Sequence, residues 1–317
     1  RFGLVKDDFM TPHAHIECRN DQEHFLVALF DRLWERYRQR VPYAARFVDL
    51  VEQDGGTFVD DHIAFRTIAC QHPQTGMVSL SRLFEALGYA AAACYQFPDK
   101  YLSAIHYQHP NAAFPKLFIS ELQSWRLSDS GLNAVHCALR THRPPLSNTI
   151  LQRLSTVTTA DFNELLPTVI DAIETLPWEV PTENDVRALH RESQYGAWVL
   201  VHGYNVNHFT ALVNALQVPS MQTIDDTVRV VGQAGIPLKP EIEGAAGTKL
   251  RQTATEAVMA DVPVMRDGQR TSISWSYAYF EIAERGTIVD PDTGQSRRFE
   301  GFLGPQATQL FDMTKVK

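Results

Sequence analysis

Cysteine is scarce in this 317-residue chain, and Cys18, Cys70, Cys94 and Cys137 show no paired spacing. The pattern argues against a disulfide framework and for free thiols in a reducing compartment. No apolar run approaches the roughly 20 residues needed to cross a bilayer, and no charged-then-apolar leader precedes the first helical pattern. Cytoplasmic residence is the expectation. Positive charge is in deficit, with 29 Lys and Arg against 37 Asp and Glu and a net charge of −8, which speaks against nucleic acid or an anionic membrane as partner. Zincin motifs, a nucleophile elbow and a dinucleotide fingerprint are all missing. The glycine-rich stretch Glu243-Gly244-Ala245-Ala246-Gly247-Thr248-Lys249 lacks phosphate-loop spacing and reads as a turn into Leu250–Ala254. What remains is ordinary globular composition, 44% hydrophobic and 21% charged, in a chain long enough for one large domain or two.

The informative stretch is Asp60-Asp61-His62-Ile63-Ala64-Phe65-Arg66. Its alternation reads as a β-strand, and alternation puts His62 and Arg66 on one face. That face offers a neutral metal ligand and a fixed cation able to fork onto a carboxylate. A lone strand histidine is more often a hydrogen-bonded core residue, so recurrence is what matters. Val206-Asn207-His208-Phe209-Thr210-Ala211-Leu212 repeats the pattern, with His208 beside Val206, Thr210 and Leu212. Each histidine is followed by a helical pattern ending in glycine, 79–87 before Gly88 and 223–234 before Gly235, with Ser79 and Thr223 as N-caps. Further strand-like runs follow. The last in each copy, 116–122 and 274–282, carries one carboxylate, Glu121 or Glu281, in an otherwise apolar setting. Burying a carboxylate there is costly unless something pairs with it.

Taken in order, residues 1–20 read as irregular, and His13, His15 and Cys18 as solvated rather than metal-binding. An amphipathic helix runs from Asp21 to about Val51, with Pro42 as an interruption. The organisation expected is an N-terminal helical segment (1–56), a first βαβββ unit (57–128), a helical insertion (129–193), a second βαβββ unit (194–290) opening on Ala197–Val201, and a C-terminal tail (291–317) that closes the site. His106 and His109 are rival ligands without counterparts in the second unit. His136, His142 and His190 read as structural.

A doubled βαβββ unit with His on each first strand and Glu on the final strand resembles the vicinal-oxygen-chelate superfamily. Asp61-His62-Ile63-Ala64-Phe65-Arg66, Asn205-Val206-Asn207-His208 and Tyr279-Phe280-Glu281-Ile282-Ala283-Glu284-Arg285-Gly286 resemble the 2-oxoadipate dioxygenase/decarboxylase family, as does the closing Gly301-Phe302…Ala307…Leu310-Phe311. The resemblance implies an α+β fold of two such units forming a half-open barrel around a metal, flanked by helices. It implies Fe(II)-dependent oxidative decarboxylation of 2-oxoadipate with O₂ to 2-hydroxyglutarate and CO₂, in lysine catabolism. His62, His208 and Glu281 would hold the metal, Arg66 would bind a substrate carboxylate, and the backbone at Pro305 and Gln306 would grip the substrate, although Pro305 has no N–H to offer. Two imidazoles and one carboxylate leave positions open for substrate and oxygen.

Glu121 divides this reading from its rival. As a fourth ligand it would make a glyoxalase-type isomerase site, suited to Zn or Ni as Lewis acid; outside the ligand set, it leaves a three-ligand site suited to oxygen chemistry. A third possibility is a protein of the same fold that only sequesters a small molecule.

Overall fold

The computed structural model describes residues 12–70, 75–304, 311 and 314. Helix α1 (Asp21–Arg40) starts at Asn20, whose side chain accepts from the Glu23 N–H, with Asp21 and Glu23 in the first turn and Arg38 and Arg40 in the last. Both charge placements favour the helix dipole. Pro42 breaks the continuous helix expected from the periodicity and occupies the first turn of α2 (Pro42–Gln53), where its missing N–H costs nothing. The first unit follows as β1 (Asp60–Ala69), α3 (Met77–Ala86), β2 (Ala90–Phe97), β3 (Leu102–Gln108) and β4 (Lys116–Gln123). Gly76, rather than Ser79, is the N-cap of α3.

The insertion is helical: α4 (Asp129–Leu139), α5 (Asn148–Ser155), α6 (Phe162–Glu174) and α7 (Glu183–His190). It runs on into α8 (Gln194–His202), where a strand start was expected. The run from Tyr195 to His202 is buried on all sides, and such an all-apolar stretch has no period to separate strand from helix. Ser193 caps its start, and Gly203, at φ 64°, ends it.

The second unit comprises β5 (Val206–Leu212), α9 (Ile224–Gln233), β6 (Leu250–Ala254), β7 (Met259–Arg266), β8 (Gln269–Ser276) and β9 (Glu281–Arg285). Thr223 caps α9 as expected, and Gly88 and Gly235 take φ of 98° and 71° just beyond their helices. The two short strands β10 (Thr287–Val289) and β11 (Ser296–Arg298) pair with each other. Seven strands form one curled half-barrel sheet in the order β2-β3-β4-β1-β5-β9-β6.

The units are related by a pseudo-twofold at the antiparallel β1–β5 pair, and each first strand pairs in parallel with its unit's last, β1 with β4 and β5 with β9. Three departures separate the second unit from the first. Residues 237–243, which include Pro237 and Pro240, form no strand and make only isolated bridges, Glu243 to Gln252 of β6 and Leu238 to Thr255 just beyond it. The β7–β8 hairpin leaves the main sheet, turning at Asp267 and Gly268, both at positive φ. It packs Val262, Val264, Ile273 and Trp275 on Val186 of α7 and on Ala197 and Val201 of α8. The strand expected across 274–282 therefore breaks at 277–280, and Glu281 opens β9 instead of closing a long strand.

The sheet face opposite the histidines is covered by aromatic packing. Trp34 of α1 meets Phe209 edge to face and Tyr37 meets it tilted, at ring-centroid distances of 5.2 and 5.0 Å, and Phe58 stacks on Trp34 at 4.8 Å. Among the described residues, no helix is long and apolar enough to cross a membrane. Phe209 sits one residue from His208 in a fully buried strand. Phe209→Ala is expected to lower stability by about 3–5 kcal/mol in chemical denaturation; a loss below about 1 kcal/mol would contradict this packing.

Candidate metal centre

The β1–β5 register pairs His62 with Thr210 and Ala64 with His208, so the pseudo-twofold exchanges the two histidines. On the neighbouring strand, Thr210 pairs with Glu281. All three expected ligands converge. The two Nε2 atoms are 3.3 Å apart, Glu281 Oε1 lies 3.4 Å from His62 Nε2, and Glu281 Oε2 lies 3.3 Å from His208 Nε2. Among the described residues this is the one group of three or more His, Cys, Asp or Glu placed to hold a metal ion.

The residue before each histidine sets the ring. His62 Nδ1 meets Asp61 Oδ2 at 2.8 Å, and His208 Nδ1 meets Asn207 Oδ1 at 3.0 Å. An acceptor at Nδ1 holds the proton there and frees the Nε2 lone pair. Asp61 is itself gripped by Arg285, Nε to Oδ1 at 2.5 Å and Nη2 to Oδ2 at 2.7 Å. The same guanidinium donates through Nη1 to the carbonyls of Phe299 and Gly301. That anchor sets Phe302 edge-on to His62, at 4.8 Å.

Burial works against charge throughout. It lowers the pKa of His62 despite the opposing effect of Asp61. Burial, with His62 and Arg66 nearby, takes His208 well below the ordinary histidine value. Burial, reinforced by Glu243 and Asp61, raises Glu281 well above the usual carboxylate range. Neither oxygen of Glu281 has a hydrogen-bond partner among the described residues, although the residue is 1% exposed. Two neutral imidazoles and a carboxylate whose oxygens lack donors form a set that suits a divalent metal.

Glu121 is not part of it. The β4 residues lining the cleft are Phe118 and Ser120, and strand alternation turns Glu121 to the other face. There Oε2 accepts from the Met77 N–H at 2.9 Å, at the start of α3. The register explains the vacancy in the ligand set. Ala64, the twofold mate of Thr210, pairs with Phe118, so Phe118 occupies the position related to Glu281. The open alternative, Glu121 as a fourth ligand or site carboxylate, falls away, and an apolar ring stands where the symmetry would have put one.

Arg66 faces the same cleft, buried, with its guanidinium 5.1 Å from the Tyr195 ring and 5.3 Å from that of Trp198, both on α8. Nη1 donates to Thr314 Oγ1 at 2.7 Å. Phe97, Phe118, Phe302, Leu303 and Phe311 supply the apolar walls of the cleft. Pro305 and Gln306 lie outside the described residues.

The rival histidines are otherwise engaged. His106 Nδ1 meets the Tyr95 hydroxyl at 2.9 Å and Nε2 meets Gln108 at 3.2 Å; His109 Nδ1 accepts from the Asn111 N–H at 3.1 Å. His142 bonds the Tyr204 hydroxyl, and His190 packs on Trp275. His13, expected to be solvated, is instead buried between Asp31 (2.9 Å) and Asp60 (3.4 Å). Sequence reading missed Asp61, Asn207, Arg285, Tyr195 and Trp198 as site residues. The doubled Asx-His pair, Asp61-His62 and Asn207-His208, was the available signal for the first two.

Burial raises Glu281 well above the usual carboxylate range, so a proton competes with a divalent metal for its oxygens. Metal affinity is therefore expected to fall as pH drops. Glu281→Gln should abolish tight binding, whereas Glu121→Gln should leave it unchanged and reduce stability by about 1 kcal/mol. Calorimetric titration with metal at several pH values measures the affinities and chemical denaturation the stability; weakened metal binding in Glu121→Gln would contradict the assignment.

Residues 29–310 match the family model for 2-oxoadipate dioxygenase/decarboxylase. The chain is 28% identical over 312 residues to a protein of Oryza sativa subsp. japonica named 2-oxoadipate dioxygenase/decarboxylase, chloroplastic/amyloplastic, covering 92% of this chain and 79% of that protein. Among solved structures it resembles the hydroxyglutarate synthase of Oryza sativa in complex with 2-oxoadipate, at 26% identity, TM-score 0.75 and 94% coverage of both chains. It also resembles a putative glyoxalase superfamily protein from Ralstonia eutropha JMP134, at 25% identity and TM-score 0.78, over 90% of this chain and 88% of that one. The rice protein's name gives a plastid compartment, unlike the cytoplasm expected here. The half-barrel sheet and the match across most of its length agree: this chain belongs to the 2-oxoadipate dioxygenase/decarboxylase family.

Proposed function

We propose that the chain catalyses Fe(II)-dependent oxidative decarboxylation of a 2-oxo dicarboxylic acid, 2-oxoadipate foremost, in lysine catabolism. The equation balances: 2-oxoadipate and O₂ give 2-hydroxyglutarate and CO₂, one carbon leaving and both oxygen atoms retained in the products. The carrying observation is the buried three-donor set facing Arg66 within one cleft. The likeness to a rice enzyme in complex with 2-oxoadipate supports the substrate.

His62, His208 and Glu281 would hold the iron, which supplies the electron chemistry between the oxo acid and O₂. The protein's share is binding and exclusion. Asp61 and Asn207 keep the imidazoles in the tautomer that presents Nε2. Arg66 takes the carboxylate far from the reacting carbons. Its planar fork gives two charge-assisted bonds that lysine cannot reproduce, and the Tyr195 and Trp198 rings hold that plane. Phe97, Phe118 and Phe302 wall the cleft against water and suit a methylene chain. Pro305 and Gln306 stay in the proposal as substrate-gripping backbone on the family resemblance alone.

The glyoxalase-type isomerase with Zn or Ni needs a fourth protein ligand. Glu121 at the head of α3 and Phe118 at the symmetry-related position speak against it. A purely sequestering protein needs no metal donor set.

After anaerobic loading with Fe(II), 2-oxoadipate is expected to drive O₂ uptake matched by CO₂ and 2-hydroxyglutarate, with His62→Ala and Glu281→Ala inactive. Arg66→Lys should raise KM for the dicarboxylate at least about tenfold with metal affinity unchanged. No uptake with any 2-oxo acid, or an unchanged KM in Arg66→Lys, would refute the corresponding assignment.

A further inference from the structure

The two histidine-orienting residues are related by the pseudo-twofold but differ in how their second atom is used. Both carboxylate oxygens of Asp61 are engaged, each by Arg285 and Oδ2 also by His62. Asn207 is different. Its Oδ1 faces His208 Nδ1 at 3.0 Å. If His208 presents Nε2 to a metal, Nδ1 carries the proton, and the amide must offer its oxygen there and turn its NH₂ away. That Nδ2 has no hydrogen-bond partner among the described residues, although Asn207 is 1% exposed.

Buried donors are ordinarily satisfied, and one left without an acceptor is costly. The position of this one is informative. Asn207 lines the cleft that also holds Glu281 and Arg66. Its orphaned donor thus shares the cleft with the two orphaned acceptor oxygens of Glu281. The acceptors suit a cation. A donor beside them suits an anionic oxygen arriving with that cation.

We propose that Asn207 is a substrate-binding residue whose Nδ2–H₂ donates to the metal-end carboxylate of the 2-oxo acid, while its Oδ1 orients His208. The inference rests on the 2-oxo acid reading above and deepens it. Arg66 and Asn207 then serve opposite ends of a dicarboxylate, a fork for the far end and a neutral donor for the near one. It also gives a physical reason for amide rather than carboxylate at this position. An aspartate could orient His208 as Asp61 orients His62, but it would set a second negative charge beside Glu281 and against the incoming acid.

The test is anaerobic calorimetric titration of the Fe(II)-loaded protein with 2-oxoadipate, alongside metal affinity by competition with a chelating dye. Asn207→Asp keeps an acceptor for His208 and loses the donor. It should hold metal within about threefold of wild type while its Kd for 2-oxoadipate rises at least about tenfold. Asn207→Ala should weaken both. Asn207→Ser buries no new charge, and should weaken 2-oxoadipate binding by a smaller factor if the Asp variant does not fold. Wild-type affinity for 2-oxoadipate in Asn207→Asp or Asn207→Ser overturns the inference, as does loss of metal by Asn207→Asp to the extent seen in Asn207→Ala. Failure of the loaded wild-type protein to bind 2-oxoadipate sinks the substrate reading and this inference with it; firm wild-type binding with unaffected variants sinks this inference alone.

Discussion

The antiparallel register of β1 against β5 is the constraint on which the rest depends. It sets His62 opposite Thr210 and His208 opposite Ala64, so two histidines 146 positions apart share one face at hydrogen-bond distance. A slip of one residue would turn one of them out of the cleft and carry every neighbour with it. The aromatic packing of Trp34, Tyr37 and Phe58 on the opposite face resists such a slip, because Phe209 would have to leave that core. Packing and chemistry are therefore coupled through alternate residues of the same strand.

A second coupling runs through charge. Asp61 and Arg285 form a buried bidentate pair, an arrangement that is strongly destabilising if one partner is lost and of modest net value when intact. Its use here is positional. One guanidinium joins β9 to β1, holds the carboxylate that orients His62, and fixes the carbonyls of Phe299 and Gly301 that set Phe302 over the ring. Glu281 lies four residues before Arg285 on the same strand, so the third ligand and the support of the first belong to one element.

Much of this was legible in the residues. The repeated histidine strands and the helix-ending glycines carried the doubled unit, because period-two alternation and helix termini are local signals; the choice of His62, His208 and Glu281 as ligands came from the family resemblance. Glu121 stayed open for a reason alternation itself supplies: one more residue along β4 separates the cleft face from the α3 face, and the sequence does not say which is which. The apolar run of α8 had no period to read, so the helix that positions Tyr195 and Trp198 under Arg66 stayed hidden. The break at 277–280 and the departure of the β7–β8 hairpin depend on packing against α7 and α8, distant contacts that no local pattern reveals. His13 was misjudged because its burial depends on Asp31 and Asp60, which only the fold brings together.

The central claim is a metal held by three protein groups, with Phe118 at the position a fourth would take. Crystals of the Fe(II)-loaded protein measured at the iron absorption edge test it most directly. One anomalous peak is expected, touching His62 Nε2, His208 Nε2 and the Glu281 carboxylate, and no other protein atom. A fourth protein ligand from Glu121 or His106, or a peak away from the triad, would contradict it.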